Sequence, residues 1–207
     1  MATGGEARAA FEAIVLGAGA GARFGGAKLT APWRGGRLID GALAAAFAAP
    51  VRGVTLVTGA DPALQSEAAA YAARAGEGAR LRIVHAEGHA EGMAASLRAG
   101  LASLPSDAAG LFLFLGDMPL VPAGMALRLA KAVGAGAPAA APVFEGRRGH
   151  PVLFAAPLLP QLARLAGDEG ARQVLAQLGP ALALIETDDP GVVFDVDRPD
   201  DLAATPG

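Results

Sequence analysis

The chain has 207 residues, 53% of them hydrophobic, and sets 17 Lys and Arg against 20 Asp and Glu for a net charge of −3. That length bounds one sizeable domain with a full core, and the charge balance excludes a broad basic face, so no nucleic-acid partner is expected. The absence of cysteine excludes disulfides, thiol nucleophiles and thiolate metal sites.

Residues 1–10 read as a disordered N-terminus and 11–207 as a single domain. The first residues include Glu6 and Arg8 and lack the apolar core of a signal peptide. No run approaches transmembrane length, so no membrane role is expected and the cytoplasm is the expected location. The apolar run 13–16 predicts a first strand. After it Gly25, Gly26, Pro32, Gly35 and Gly36 keep the chain irregular until about Leu38. Helices are then expected at 39–48, 62–75, 92–104 and 122–133, alternating with strands at 53–58, 81–85 and 111–115. Such alternation with uninterrupted apolar strands predicts an α/β fold with a mostly parallel sheet covered by helices on both faces. Beyond 133 the pattern is less regular. Strands at 139–144 and 151–154 flank a turn at Glu145-Gly146, and helices follow at 158–165 and 170–178. Residues 182–186 and 192–196 read as late strands and 199–204 as a short terminal helix.

The stretch Leu16-Gly17-Ala18-Gly19-Ala20-Gly21-Ala22-Arg23-Phe24-Gly25-Gly26-Ala27-Lys28 holds five glycines directly after the first strand. Bare backbone N–H groups in such a loop form an anion-binding concavity. Arg23 adds a planar fork for phosphate oxygens and Lys28 a mobile point charge. The ligand expected is therefore phosphorylated. Lys28 is followed by Leu29, so the loop is not a GxxxxGK[ST] P-loop. Gly17, Gly19 and Ala22 satisfy a relaxed GxGxxA fingerprint, but no helix begins at once. Val57-Thr58-Gly59 also lacks the acidic residue that would support a dinucleotide-binding oxidoreductase.

Ligands of open α/β sheets sit at the carboxyl ends of the strands. Asp117 follows strand 111–115, so its carboxylate is expected in the same crevice as the glycine loop. A carboxylate among polyphosphates implies a bridging cation, and Mg²⁺ suits one or two carboxylates plus phosphate oxygens; capping of the next helix is the alternative. Asp195 and Asp197 alternate onto one side of an extended segment, so either can supply a second carboxylate or cap the helix at Pro199. Asp200 and Asp201 read as helix-start acids, as do Asp168 and Glu169 in the 167–172 segment. Arg147, Arg148 and His150 form a cationic turn suited to a second anionic substrate, with a solvated surface turn as the alternative. Helix 92–104 offers free N–H groups and Ser96 to a base or ribose. His85 and His89 are four apart, but Gly88 and the preceding strand argue against a shared helix face and a zinc site. This set favours nucleotidyl transfer: an acceptor phosphate attacks the α-phosphorus of a nucleoside triphosphate and pyrophosphate leaves. Arg23 and Lys28 would neutralise the developing charge.

Leu16-Gly17-Ala18-Gly19…Arg23…Gly25…Lys28, Gly92-Met93…Ser96-Leu97, Gly116-Asp117-Met118-Pro119, Arg148-Gly149-His150-Pro151, Gly167-Asp168…Gly170-Ala171-Arg172 and Asp195…Asp197…Pro199 together resemble the MobA-like nucleotidyltransferase family, over about residues 12–203. Within that family the molybdenum cofactor cytidylyltransferase branch is the best match. The resemblance implies a three-layer, Rossmann-like fold of the nucleotide-diphospho-sugar transferase type. It also implies an Mg²⁺-dependent enzyme that joins a nucleotide from CTP or GTP to the phosphate of molybdopterin, and a molybdoenzyme that receives the product. Ala18 sits at the place that distinguishes the branches and favours CTP, whereas Gly17, Ala20 and Ala22 depart from the family's usual Ala and Ser. The expected catalytic residues are Arg23, Lys28 and Asp117. The nucleotide is expected at Leu16, Gly17, Ala18, Gly19, Arg23, Lys28 and Ser96, the acceptor at Arg147, Arg148 and His150, and the metal at Asp117 and Asp197. Competing readings are guanylyl transfer, transfer to another phosphorylated acceptor such as a sugar phosphate, and a protein that binds and delivers the cofactor without turnover.

Overall fold

The computed structural model describes residues 10–167 and 170–203. Residues 1–9, nearly all of the segment expected to be disordered, lie outside the described residues, as do Asp168, Glu169 and the last four. Strand β1 (Phe11–Gly17) is buried along its whole length. An unbroken apolar run is stable there because both faces of the sheet are covered and both edges of β1 are paired. A small hairpin, β2 (Pro32–Trp33) with β3 (Gly36–Arg37), interrupts the irregular stretch before α1 (Leu38–Ala48). Its turn uses Arg34 and Gly35 at positive φ. The chain continues through β4 (Val51–Thr58), α2 (Leu64–Arg74), β5 (Leu81–His85), α3 (Met93–Ala102), β6 (Gly110–Leu115) and α4 (Met125–Gly134). It then runs through β7 (Ala139–Phe144), β8 (Arg147–Arg148), β9 (Val152–Ala155), α5 (Leu159–Leu162), α6 (Arg172–Leu178) and β10 (Leu182–Glu186).

One eight-stranded sheet has the order β10-β7-β9-β6-β1-β4-β5, with β8 paired to β7. β1, β4, β5 and β6 are parallel neighbours, and β10 runs parallel to β7. The strands expected on either side of Glu145-Gly146 form as β7 and β9 and pair antiparallel, though not directly across that turn. Instead β8 closes the hairpin, and β9 is inserted antiparallel between β6 and β7. Helices α1, α2 and α4 bury one apolar cluster against the sheet. Helices α3, α5 and α6 bury a second on the opposite face, which makes the three layers. At the amino end of β1 the buried carboxylate of Glu12 is paid for by Arg52, 2.8 Å away, and by Arg82. Arg52 also grips Asp107 through two hydrogen bonds, which hold that carboxyl below its ordinary range.

Two expectations are corrected. Residues 192–196 form no strand: Pro190–Val192 is a single 3-10 turn and the rest is irregular. Val192 and Val196 are still fully buried, so the apolar pattern reports packing on the core rather than a ladder. The helix expected at 158–165 shrinks to a 3-10 turn at Ala156–Leu158 followed by the four residues of α5. No helix among the described residues is long and apolar enough to cross a membrane.

Candidate active site

Register brings Leu16 beside Leu115 and Gly17 beside Thr58, so β1, β4 and β6 end level and open one crevice. The glycine loop leaves from there. The Gly21 carbonyl accepts hydrogen bonds from the N–H groups of Phe24, Gly25 and Gly26 at 2.9, 3.1 and 3.1 Å. Gly21, Gly25 and Gly26 all hold positive φ, which glycine alone adopts without strain. This coil feeds a 3-10 turn, Lys28–Thr30, anchored by the Thr30 hydroxyl donating to Asp61 at 2.8 Å. The turn carries the Lys28 ammonium back over the strand ends. Gly17 points into the core instead: a side chain there would meet Leu64, Leu29 and Leu56.

Lys28 Nζ donates to Asp117 Oδ2 at 2.8 Å and lies 3.5 Å from Asp197 Oδ1. Arg23 donates to the other oxygen of Asp197 at 2.9 Å. The two cations expected at the phosphates and the two carboxylates expected at the metal thus form one cluster. Lys28 is 13% exposed and Arg23 75%, so the lysine pairs are the strongly felt ones and the arginine pair is screened by water. The Asp197 side chain reaches the cluster because capping falls to Asp201. That carboxylate accepts from the N–H groups of Asp197 and Arg198 at 2.8 and 2.7 Å, which hold it below its ordinary range. The 192–197 segment is laced across the strand ends by main-chain bonds. Val196 N–H donates to Asp117 O at 3.0 Å, and His150 N–H donates to Val192 O at 2.8 Å.

Two cavities meet at this cluster. One, of about 510 Å³, lies between the glycine loop and α3, and is lined by Leu16, Ala18, Gly19 and Ser96. The other, of about 910 Å³, is lined by Arg23, Arg147, Arg148, His150, Asp195 and Asp197. Both share Met93, Leu115 and Asp117, so Asp117 stands at their junction. A larger hollow of about 1250 Å³ lies elsewhere, lined by Glu145, Glu186, Asp188 and Asp189. Its acidic wall suits no anionic substrate.

The structure also brings in residues that the sequence did not assign to the site. Arg172 lines the larger cavity. It closes the 167–172 motif, part of which lies outside the described residues, and that motif reads locally as a helix start. His89 lines the smaller cavity, where the sequence offered only its spacing from His85 as a signal.

Among the described residues no three His, Asp or Glu side chains stand close enough to hold a metal on their own. Asp117 and Asp197 nevertheless share one positive charge at Lys28. The Asp195 carboxyl is pushed up, first by desolvation and then by the negative charges of Asp117 and Asp197. The donor set therefore fits a hard cation that takes one or two carboxylates and completes its shell with phosphate oxygens and water.

His150 is neutral at physiological pH. Burial lowers its pKa to about 4, helped by Arg172 and Arg148 and opposed by the Leu113 carbonyl 3.4 Å from Nδ1 and by Asp117. It offers a donor and an acceptor, and the charge on this side belongs to the arginines. The unfolded chain takes up this proton first as pH falls. The stabilising contribution is therefore complete above pH 6.5 and is lost on descent toward about 4. In urea denaturation across that window, wild type should lose stability more steeply than His150→Asn, by up to roughly 1.4 kcal/mol per pH unit. Equal slopes would assign the proton to another group.

The sequence profile of the MobA-like NTP transferase domain matches residues 13–182. Molybdenum cofactor cytidylyltransferase of Escherichia coli (strain K12) is 27% identical over 93% of this chain and 94% of its own. The crystal structure of Rv0371c from Mycobacterium tuberculosis superposes with a TM-score of 0.74 at 29% identity, covering 94% of this chain and 96% of that one. The manganese complex of the same protein gives a TM-score of 0.64 at 25% identity, over 86% and 88% of the two chains.

Proposed function

Because the chain belongs to the MobA-like NTP transferase family and is a nucleotidyltransferase, we propose that it transfers CMP from CTP to the phosphate of a molybdopterin-type acceptor and releases pyrophosphate. The observation that carries this reading is the junction at Asp117, where a cavity beside the glycine loop, whose one carboxylate is Asp117, opens into a second lined by arginines and by Asp195 and Asp197. The nucleoside would lie in the first, against Leu16, Ala18, Gly19 and Ser96. The acceptor would lie in the second, its phosphate held by Arg147 and Arg148 and its polar ring edges by neutral His150. The triphosphate would cross between them past Lys28 and Arg23.

In the reaction an acceptor phosphate oxygen bonds to the α-phosphorus. The bond from that phosphorus to the bridging oxygen breaks, and its electron pair leaves on pyrophosphate. The nucleophile is already an anion, so no general base is needed. Lys28 would neutralise charge that builds on the α-phosphate and the leaving group, a term that grows in a site partly shielded from water. Arg23, exposed at the rim, would reach the departing pyrophosphate. Asp117 and Asp197 would hold Mg²⁺, which when bound supplies charge neutralisation and in-line alignment of the phosphates. The manganese-bound relative and the cytidylyltransferase relative support the metal and the nucleotide respectively. A molybdoenzyme would receive the product, in the cytoplasm.

Calorimetric titration with CTP, GTP, ATP and UTP, each with Mg²⁺, should give the tightest binding for CTP. Pyrophosphate release should then require molybdopterin. Selectivity for GTP would move the protein to guanylyl transfer. Absence of nucleotide binding would leave a carrier of cofactor.

A further inference from the structure

We propose that His89 is a specificity-determining residue, whose imidazole forms the aromatic wall of the base-binding part of the smaller cavity. The inference rests on the nucleotide being bound there, as proposed above. Five of the eleven residues lining that cavity have little or no side chain: Ala18, Gly19, Ala20, Ala90 and Gly92 present backbone and methyl groups, while Met93 and Asp117 lie at its junction with the larger cavity. Leu16 and Leu115 supply apolar side chains, and Ser96 a single hydroxyl. His89 is the one aromatic ring among the lining residues. A nucleobase is recognised through its flat face and its polar edge, and a ring is the side chain suited to the face.

The position of His89 is built from three strand ends. Its N–H donates to Ala86 O at 3.0 Å, and Ala86 N–H donates to Thr58 O at 2.9 Å, which ties the turn after β5 to the end of β4. Ala60 N–H donates to Ala18 O at 3.2 Å, which ties the glycine loop to the same place. Gly59 lies between: a Cβ there would stand 2.8 Å from the Cβ atoms of both Ala18 and His89. The two side chains therefore stem from neighbouring points on one wall, and the missing side chain at Gly59 is what lets them approach. His85 packs edge-to-face on His89, with ring centroids 6.1 Å apart and planes at 72°, and so limits how the imidazole can turn. A ring fixed beside Ala18 covers the face of a pyrimidine and narrows the depth left for a purine.

The test is calorimetric binding of CTP and of GTP with Mg²⁺ and no acceptor, in wild type, His89→Ala and His89→Phe. Circular dichroism would verify folding. His89→Ala should weaken CTP about tenfold and shrink the ratio of CTP to GTP affinity, whereas His89→Phe should retain most of both. In turnover the alanine variant should raise KM for CTP with kcat little changed, since His89 lies away from the reacting phosphates. A folded His89→Ala protein with wild-type affinity and wild-type discrimination for both nucleotides would overturn the assignment. Should the alanine variant fail to fold, His89→Asn removes the ring while keeping a polar side chain, and the same outcomes apply. Wild type that prefers GTP would refute the CTP reading and the narrowing against a purine, while loss of GTP affinity in His89→Ala would still report on the stacking ring.

Discussion

Asp117→Asn should lower kcat by about 10³, equivalent to about 4 kcal/mol of transition-state stabilisation, and leave the fold intact. The residue stands at the end of β6, where the two cavities join, and its carboxylate faces the Lys28 ammonium at 2.8 Å. Conversion to the amide keeps size and one acceptor oxygen for Nζ but removes the charge a hard cation needs. Stability should change by no more than about 1 kcal/mol, because the carboxylate is 26% exposed and water can take over part of its solvation. Three measurements separate the possibilities: kcat, calorimetric affinity for Mn²⁺ in the presence of CTP, and thermal unfolding. The variant should lose turnover and metal affinity together. A folded variant that turns over at nearly the wild-type rate would remove Asp117 from the metal site. One that binds Mn²⁺ normally yet does not turn over would move its role from holding the ion to orienting Lys28.

The elements that build this junction differ in how far they could be read from the chain. β1 and β6 were legible because the apolar residues at 13–16 and 111–115 run without interruption where a strand is covered on both faces. Helices α1 to α4 were legible from their periodic apolar positions. Strand β9 was visible as an apolar run, but its antiparallel insertion between β6 and β7 depends on pairing partners far apart in sequence, and local pattern carries no direction. Residues 192–196 look like a strand because Val192 and Val196 are apolar and buried, although their own main-chain groups bond to Asp117 and His150 rather than to a neighbouring strand. In the candidate site, Lys28, Asp117 and Asp197 stood out by chemical type and by their place after apolar runs. What composition could not show is that they pair with one another, since that takes the coil around the Gly21 carbonyl and the capping by Asp201. His89 and Arg172 were hidden for the opposite reason. Each sits in a locally unremarkable turn and acquires a partner cavity only when distant strand ends are brought level.

Lys28→Ala should reduce kcat by roughly 10²–10³, about 3–4 kcal/mol, with a smaller rise in KM for CTP. The reason lies in burial. An ammonium only 13% exposed has lost most of its water, so its field on nearby groups is screened less than that of Arg23 at the rim. In the resting cluster that field is spent on Asp117 and Asp197. When phosphates enter, the same charge can turn to the α-phosphate and the departing pyrophosphate, where negative charge grows during the reaction. An interaction stronger in the transition state than in the bound substrate appears in kcat. Removing it also leaves two carboxylates facing each other without their shared cation, so Mn²⁺ affinity should stay level or rise while turnover falls. That combination distinguishes Lys28 from Asp117, whose loss should lower both. Lys28→Arg should recover only part of the rate, because a planar guanidinium cannot occupy the point between the two carboxylates that a compact ammonium fills. A loss confined to KM, with kcat unchanged, would assign Lys28 to ground-state binding of the triphosphate.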